Sequence, residues 1–141
     1  MSTREVRKGL ADRLRTIADL SQVYERVLGS HLEFPCALVD VESGEFQQVM
    51  GGTSTVKTYS VYVLAASGMP AQEAQDFLDD FVDRTGTNSV WGAVHGDGTL
   101  GGACERAWVR GWSEYGTHSL TAVGGVAQTY YGVRFDVEVW E

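Results

Sequence analysis

Apolar residues recur at Val6, Leu10, Leu14 and Ile17, while Arg4, Arg7, Lys8, Arg13 and Arg15 take the remaining directions. That spacing predicts an amphipathic helix ending near Asp19. Val23 to Val27 reads as a short strand. Phe34 to Val41 reads as a second one, whose continuous apolar run suits burial on both faces, with Pro35 at its start where a missing N–H costs nothing. Ser43-Gly44 and Gly51-Gly52 punctuate the next segment, and Glu42 to Thr53 carries no clear period. Thr55 to Ala65, dense in β-branched and aromatic residues, predicts a long strand.

After Ser67-Gly68, Pro70 can occupy the first turn of a helix. Ala74, Phe77, Leu78, Phe81 and Val82 give that helix one apolar face, and Glu73, Asp76, Asp79, Asp80 and Asp83 an acidic outer one. Thr87 or Asn88 can cap a third helix carrying Val90, Trp91 and Val94. Two strands follow, Glu105 to Trp112 and Gln128 to Trp140, joined through the turn-rich Ser113 to Ala127 by an extended loop or a short extra strand. The last strand alternates: Tyr131, Val133, Phe135, Val137 and Val139 face one way, and Tyr130, Arg134, Asp136, Glu138 and Trp140 the other. Helix, strands, two helices, strands is the order of an α+β domain, with helices on one face of a mainly antiparallel sheet. At 141 residues one domain, residues 1–141, accounts for the whole chain.

Charge narrows the chemistry. The formal net charge of −8 disfavours tight duplex binding, because no excess of Lys and Arg displaces counterions from phosphates. The first residues lack the apolar core of a secretion signal and no run is long enough to span a bilayer, so the expectation is a cytosolic protein with no membrane contact. Cys36 and Cys104 are expected to be reduced and largely buried.

His95-Gly-Asp-Gly-Thr-Leu-Gly-Gly102 holds G-x-G-x-x-G at Gly96, Gly98 and Gly101. A dinucleotide fingerprint lies between a strand and a following helix, so that helix N–H groups meet the phosphates. Here the glycines follow a helix and precede a strand, and Asp97 adds a negative charge, so the expectation is a C-cap and a tight crossover. No spacing supports a metal site of Cys104, His95 and His118. Glu105 with Asp136 or Glu138 could pair as acid and base across strands, but alternating charge on a strand usually marks its wet face. No nucleophile motif is present. The expectation is a protein that is not an enzyme and holds no cofactor or metal.

The outward aromatic set is more informative. Trp108 and Trp112 are expected to share a strand face with Arg110, and Tyr130 and Trp140 to share theirs with Arg134. Trp, Tyr and Arg are the residue types enriched at protein contacts. The competing expectation is a ligand pocket between sheet and helices lined by Trp91, Trp108 and Tyr131.

The arrangement resembles the tail terminator (tail completion) proteins of long-tailed bacteriophages, within the broad group of head–tail joining proteins. The resemblance rests on the opening helix, Phe34-Pro-Cys-Ala-Leu-Val39, Thr58-Tyr-Ser-Val-Tyr-Val-Leu64 and Ala71-Gln-Glu-Ala-Gln-Asp-Phe-Leu-Asp79. It continues in Thr87-Asn-Ser-Val90, in Thr99-Leu-Gly-Gly102 and in Gly132-Val-Arg-Phe-Asp-Val-Glu-Val139. It implies a structural virion protein, assembled in the host cytoplasm as a homo-hexameric ring. Such a ring caps the tail tube, ends its polymerisation and meets the head connector or stopper protein, and DNA passes through its centre. Trp108, Arg110, Trp112, Tyr130, Arg134 and Trp140 would then contact neighbouring subunits or the tube. The lumen would be lined by Asp76, Asp79, Asp80 and Asp83, or by Asp136 and Glu138. A neck or head-closure adaptor of similar fold would use the same physics.

Overall fold

The computed structural model describes residues 3–25, 35–49, 52–65, 70–121 and 127–140. Helix α1 (Thr3–Leu14) is followed by strands β1 (Gln22–Tyr24), β2 (Cys36–Val49) and β3 (Gly52–Leu64). Helices α2 (Ala71–Val82) and α3 (Val90–His95) precede strands β4 (Arg106–Thr121) and β5 (Ala127–Trp140). The five strands form one sheet in the order β1-β2-β3-β5-β4. Only the β1–β2 pair is parallel, and the other pairs are antiparallel. This is the expected α+β class. Of the expected features, Val27, Phe34, Gly51, Ser67-Gly68 and Gly124-Gly125 lie outside the described residues.

All three helices pack on one face of the sheet. Val6, Leu10 and Leu14 of α1, Leu78 and Phe81 of α2, and Val90 and Val94 of α3 join Val39, Val61, Val133, Phe135, Val137 and Val139 of the sheet in one core. The predicted inward set of β5 is therefore the core set, with Tyr131 half-buried beside it. On the opposite face Cys36, Leu38 and Leu64 form a smaller apolar cluster with Tyr24 and Tyr62. The apolar run of β2 is thus buried on both faces, Ala37 and Val39 inward and Cys36 and Leu38 outward. Both cysteines are buried and neither is in a disulfide, and burial pushes the pKa of the Cys36 thiol up to about 12.

Three expectations are corrected. The cap of α3 is Ser89, the residue directly before Val90, whose Oγ accepts from the Gly92 N–H at 3.0 Å, while the Asn88 side-chain amide donates to Asp19 at 2.6 Å. Ser113 to Thr121 continues β4. Glu42 to Val49 and Gly52 onward are strand. Turn-type residues did not end these strands because backbone pairing across β2–β3 and β4–β5 outweighs local preference, and bulges at Val41/Ser43 and Ser113/Gly116 absorb the irregular positions.

The glycine loop does turn a corner, and it does so by filling itself. Asp97 accepts hydrogen bonds from the Thr99 hydroxyl (2.7 Å), the Thr99 N–H (3.1 Å) and the Gly101 N–H (3.0 Å). Its own carboxylate occupies the position an external anion would need. Leu100 adopts a left-handed φ of 52° and is buried in the core. Gly9 of α1 admits it: a Cβ there would lie 2.7 Å from the Leu100 carbonyl oxygen and 2.9 Å from its Cβ.

Those hydrogen bonds, the Thr99 hydroxyl first, hold the Asp97 carboxyl below its ordinary range. A folded pKa below the unfolded one stabilises the fold above the unfolded value, and that gain is lost as pH falls through the folded value. Asp97→Asn should therefore flatten the acid limb of the stability profile below about pH 4. Thermal melts across the acid range measure this, and an unchanged limb would mean that the loop bonds do not hold in solution.

Candidate functional site

The interface candidates divide between the two faces of the sheet. Trp108 stands opposite Glu138 in the β4–β5 register, and Trp140 lies opposite Arg106 and Val56. Residues directly opposite share a face, so Trp108, Glu138 and Trp140 all point away from the helices. Trp108 and Trp140 stack with ring centroids 6.0 Å apart and planes 24° apart, and the Arg106 guanidinium lies 5.3 Å from the Trp108 ring centroid. The Trp140 indole donates to Glu138 Oε1 at 2.9 Å, and Arg110 pairs with Glu138 Oε2. Both oxygens of a carboxylate that is 8% exposed are thereby engaged, as a buried charge requires.

Arg110 is the extra residue of a bulge between Val109 and Gly111. One inserted residue reverses which side chains face which way. Trp112 consequently pairs with Phe135 and lies on the helix side, not on the face of Trp108. It is 50% exposed and meets Tyr115 edge-on at 6.0 Å. The Tyr115 hydroxyl is within hydrogen-bond distance of the Gln75 carbonyl (2.8 Å) and Asp79 Oδ1 (2.7 Å) of α2. Burial, with the Asp79 bond second, pushes its pKa to about 12. Trp112 thus stands beside α2 at the open edge of the sheet. Alternation along the sequence could not find this, because a bulge is set by pairing.

Tyr130 and Arg134 keep the outward face predicted for them. Tyr130 is buried opposite His118, so it does not present a free contact surface. Arg134 bonds Asp136 at 3.2 Å and approaches Glu114 at 3.8 Å. The outer face therefore runs from apolar near Cys36, Leu38 and Leu64 to a band of paired charges and indoles near Trp140.

The two acidic sets lie on opposite layers. Asp76, Asp79, Asp80 and Asp83 form an exposed stripe on α2, whereas Asp136 and Glu138 are on the outer sheet face, each held by an arginine. Asp79, Asp80 and Asp83 crowd the C-terminal end of α2, which has no basic residue in its last turn. Acids there oppose the helix dipole, so local helix stability does not explain them.

The other candidates do not converge. The His95 ring stacks on Trp91 at 4.0 Å, and its Nε2 accepts from the Val109 N–H at 3.2 Å. Burial, then Arg106 and Arg84, lowers its pKa, which agrees with a neutral acceptor. His118 lies on the other face, against Tyr62, with Nε2 2.7 Å from the Glu114 carbonyl oxygen. Among the described residues no three His, Cys, Asp or Glu side chains gather as metal ligands. The sheet likewise separates Trp91 from Trp108, so the ligand pocket expected from Trp91, Trp108 and Tyr131 is not assembled. A shallow cleft of about 360 Å³ lies elsewhere, between α1 and the glycine loop, lined by Glu5, Lys8, Asp12 and Gly101 among others. No described helix is long and apolar enough to cross a membrane. The chain matches no protein-family model and no curated protein.

Proposed function

We propose that this protein is a structural component of a phage tail or neck, a tail terminator that assembles as a ring, caps the tail tube and joins it to the head connector. The observation that carries the reading is the outer sheet face. Stacked Trp108 and Trp140, flanked by Arg106, Arg110 and Glu138, form a half-buried band on the side where no described helix packs. Large aromatic and arginine side chains beside an exposed apolar ring surface are what a protein contact uses. The succession of helix, three strands, two helices and two strands is also the order on which the resemblance rests. Separation of Trp91 from Trp108 weighs against the ligand-binding alternative.

The acidic stripe on α2 is the better candidate for a DNA passage, since its carboxylates are exposed while Glu138 is engaged. A wall of like charge lets DNA slide without sticking. The test adds purified protein to unfinished tail tubes and follows tube length and end density by negative stain. Expected are capped tubes of arrested length and, by native mass spectrometry, hexameric rings at high concentration. Tubes that keep growing, with no ring at any concentration, would sink the reading.

A further inference from the structure

The sheet is stepped at both ends. β3 pairs with β5 from Val56 to Leu64, so Gly52–Thr55 continue past the end of β5 at Trp140 with, among the described residues, β2 alone beside them. At the opposite end β5 begins at Ala127, five residues before Gly132, its first partner on β3, and this stretch runs beside β4. Ala65 donates to the Tyr131 carbonyl oxygen at 2.8 Å, which closes the step from below. Among the described residues, each end of the sheet thus carries a two-stranded ribbon next to a notch.

The two steps are complementary. A second copy displaced along the strands would bring its β4–β5 ribbon into the notch beneath β5 and β4 of the first. Its residues Ala127–Thr129 would then run antiparallel to Gly52–Thr55, the same direction in which β5 already pairs with β3. The overhangs are of similar length, four residues and five. An isolated two-stranded ribbon is marginal in water, and an edge is usually guarded by Lys, Pro or an inward charge.

These ribbons carry no such guard. Phe46 to Val56 and Tyr115 to Val133 contain no Asp, Glu, Lys, Arg or Pro, in a chain of net charge −8. Copies so negative repel one another, and the uncharged ribbons are where they can meet. The long outer edge of β4 is guarded instead, by bulges at Val109/Gly111 and Ser113/Gly116.

We infer that copies of this chain join head to tail through these ribbons, Gly52–Thr55 of one pairing with Ala127–Thr129 of the next. This deepens the ring reading and rests on it: a head-to-tail contact generates a ring when its rotation closes and a filament when it does not. The test compares Ser54→Lys, Thr129→Lys, Ser54→Lys/Thr129→Lys and Ser54→Lys/Thr129→Glu by sedimentation, with a thermal melt of each variant as a check on folding. The two positions lie at opposite ends of one sheet, so a charge pair between them acts only between molecules. Expected is association weakened at least about tenfold in the single and double lysine variants and restored in the Lys/Glu variant, with melting unchanged. Rings that persist in the double lysine variant, or weakening without rescue, overturn ribbon pairing and leave the ring reading standing. A wild-type chain that stays monomeric at the highest attainable concentration also overturns ribbon pairing, while tube capping decides the ring reading separately.

Discussion

Truncating Trp140 to alanine is expected to weaken subunit association by about 2 kcal/mol or more, as central aromatic contacts do, while the subunit stays folded. The indole stacks on Trp108 and donates to Glu138, so its removal exposes the second ring and frees one oxygen of a carboxylate that Arg110 still holds. Trp108→Ala should act on the same surface. The two losses should be less than additive when combined, because the rings are neighbours in one stack. Sedimentation against concentration gives the association term and circular dichroism the fold. Unfolding at ordinary temperature would assign the stack to holding β4 on β5. Unchanged association with an intact fold would remove the outer face from the interface.

A large loss of stability outside the sheet is expected at Leu100, which is buried in the core. Leu100→Ala should cost about 2–5 kcal/mol, the range for removing a buried leucine side chain, and lower Tm by on the order of ten degrees. The position is unusual because the side chain enters the core from a left-handed backbone, at φ 52°, against Gly9 on α1. Leu100→Gly separates the two effects. It leaves a similar void and relieves the backbone, so it should melt close to or above the alanine variant even though glycine has the more flexible unfolded chain. A calorimetric shift of only a degree or two for Leu100→Ala would mean that the loop does not anchor α1.

Much of the fold is legible in the chain because its signals are local and periodic. The stripe from Val6 to Ile17, the helix after Pro70 and the alternation from Tyr131 to Trp140 each follow from the spacing of side chains along one element. Reading fails where a second strand or a tertiary bond decides. Asn88 is as good a cap as Ser89 on local grounds, but its side-chain amide donates to the distant Asp19 while Ser89 caps the helix. Trp112 reads as a neighbour of Trp108 on one face until the bulge at Arg110 turns it over. Glycines and serines from Ser113 to Thr121 read as turns until β5 pairs with them. Within the candidate site, residue types suited to contact were recognisable, but their division into an outer band and a helix-side edge was not.

The strand order has a consequence for synthesis. β5 is the last described element to leave the ribosome, yet it is a central strand, with β3 on one side and β4 on the other. While the chain is still being made, β2 and β3 can form a hairpin, but the edge of β3 that awaits β5 has no partner of its own chain. Pairing between strands distant in sequence is slow, and unpaired edges invite association with other chains. A translation pause shortly before Gly132 would therefore leave this protein at its most vulnerable, and chaperones that shield strand edges should associate with nascent chains of that length more than with released ones.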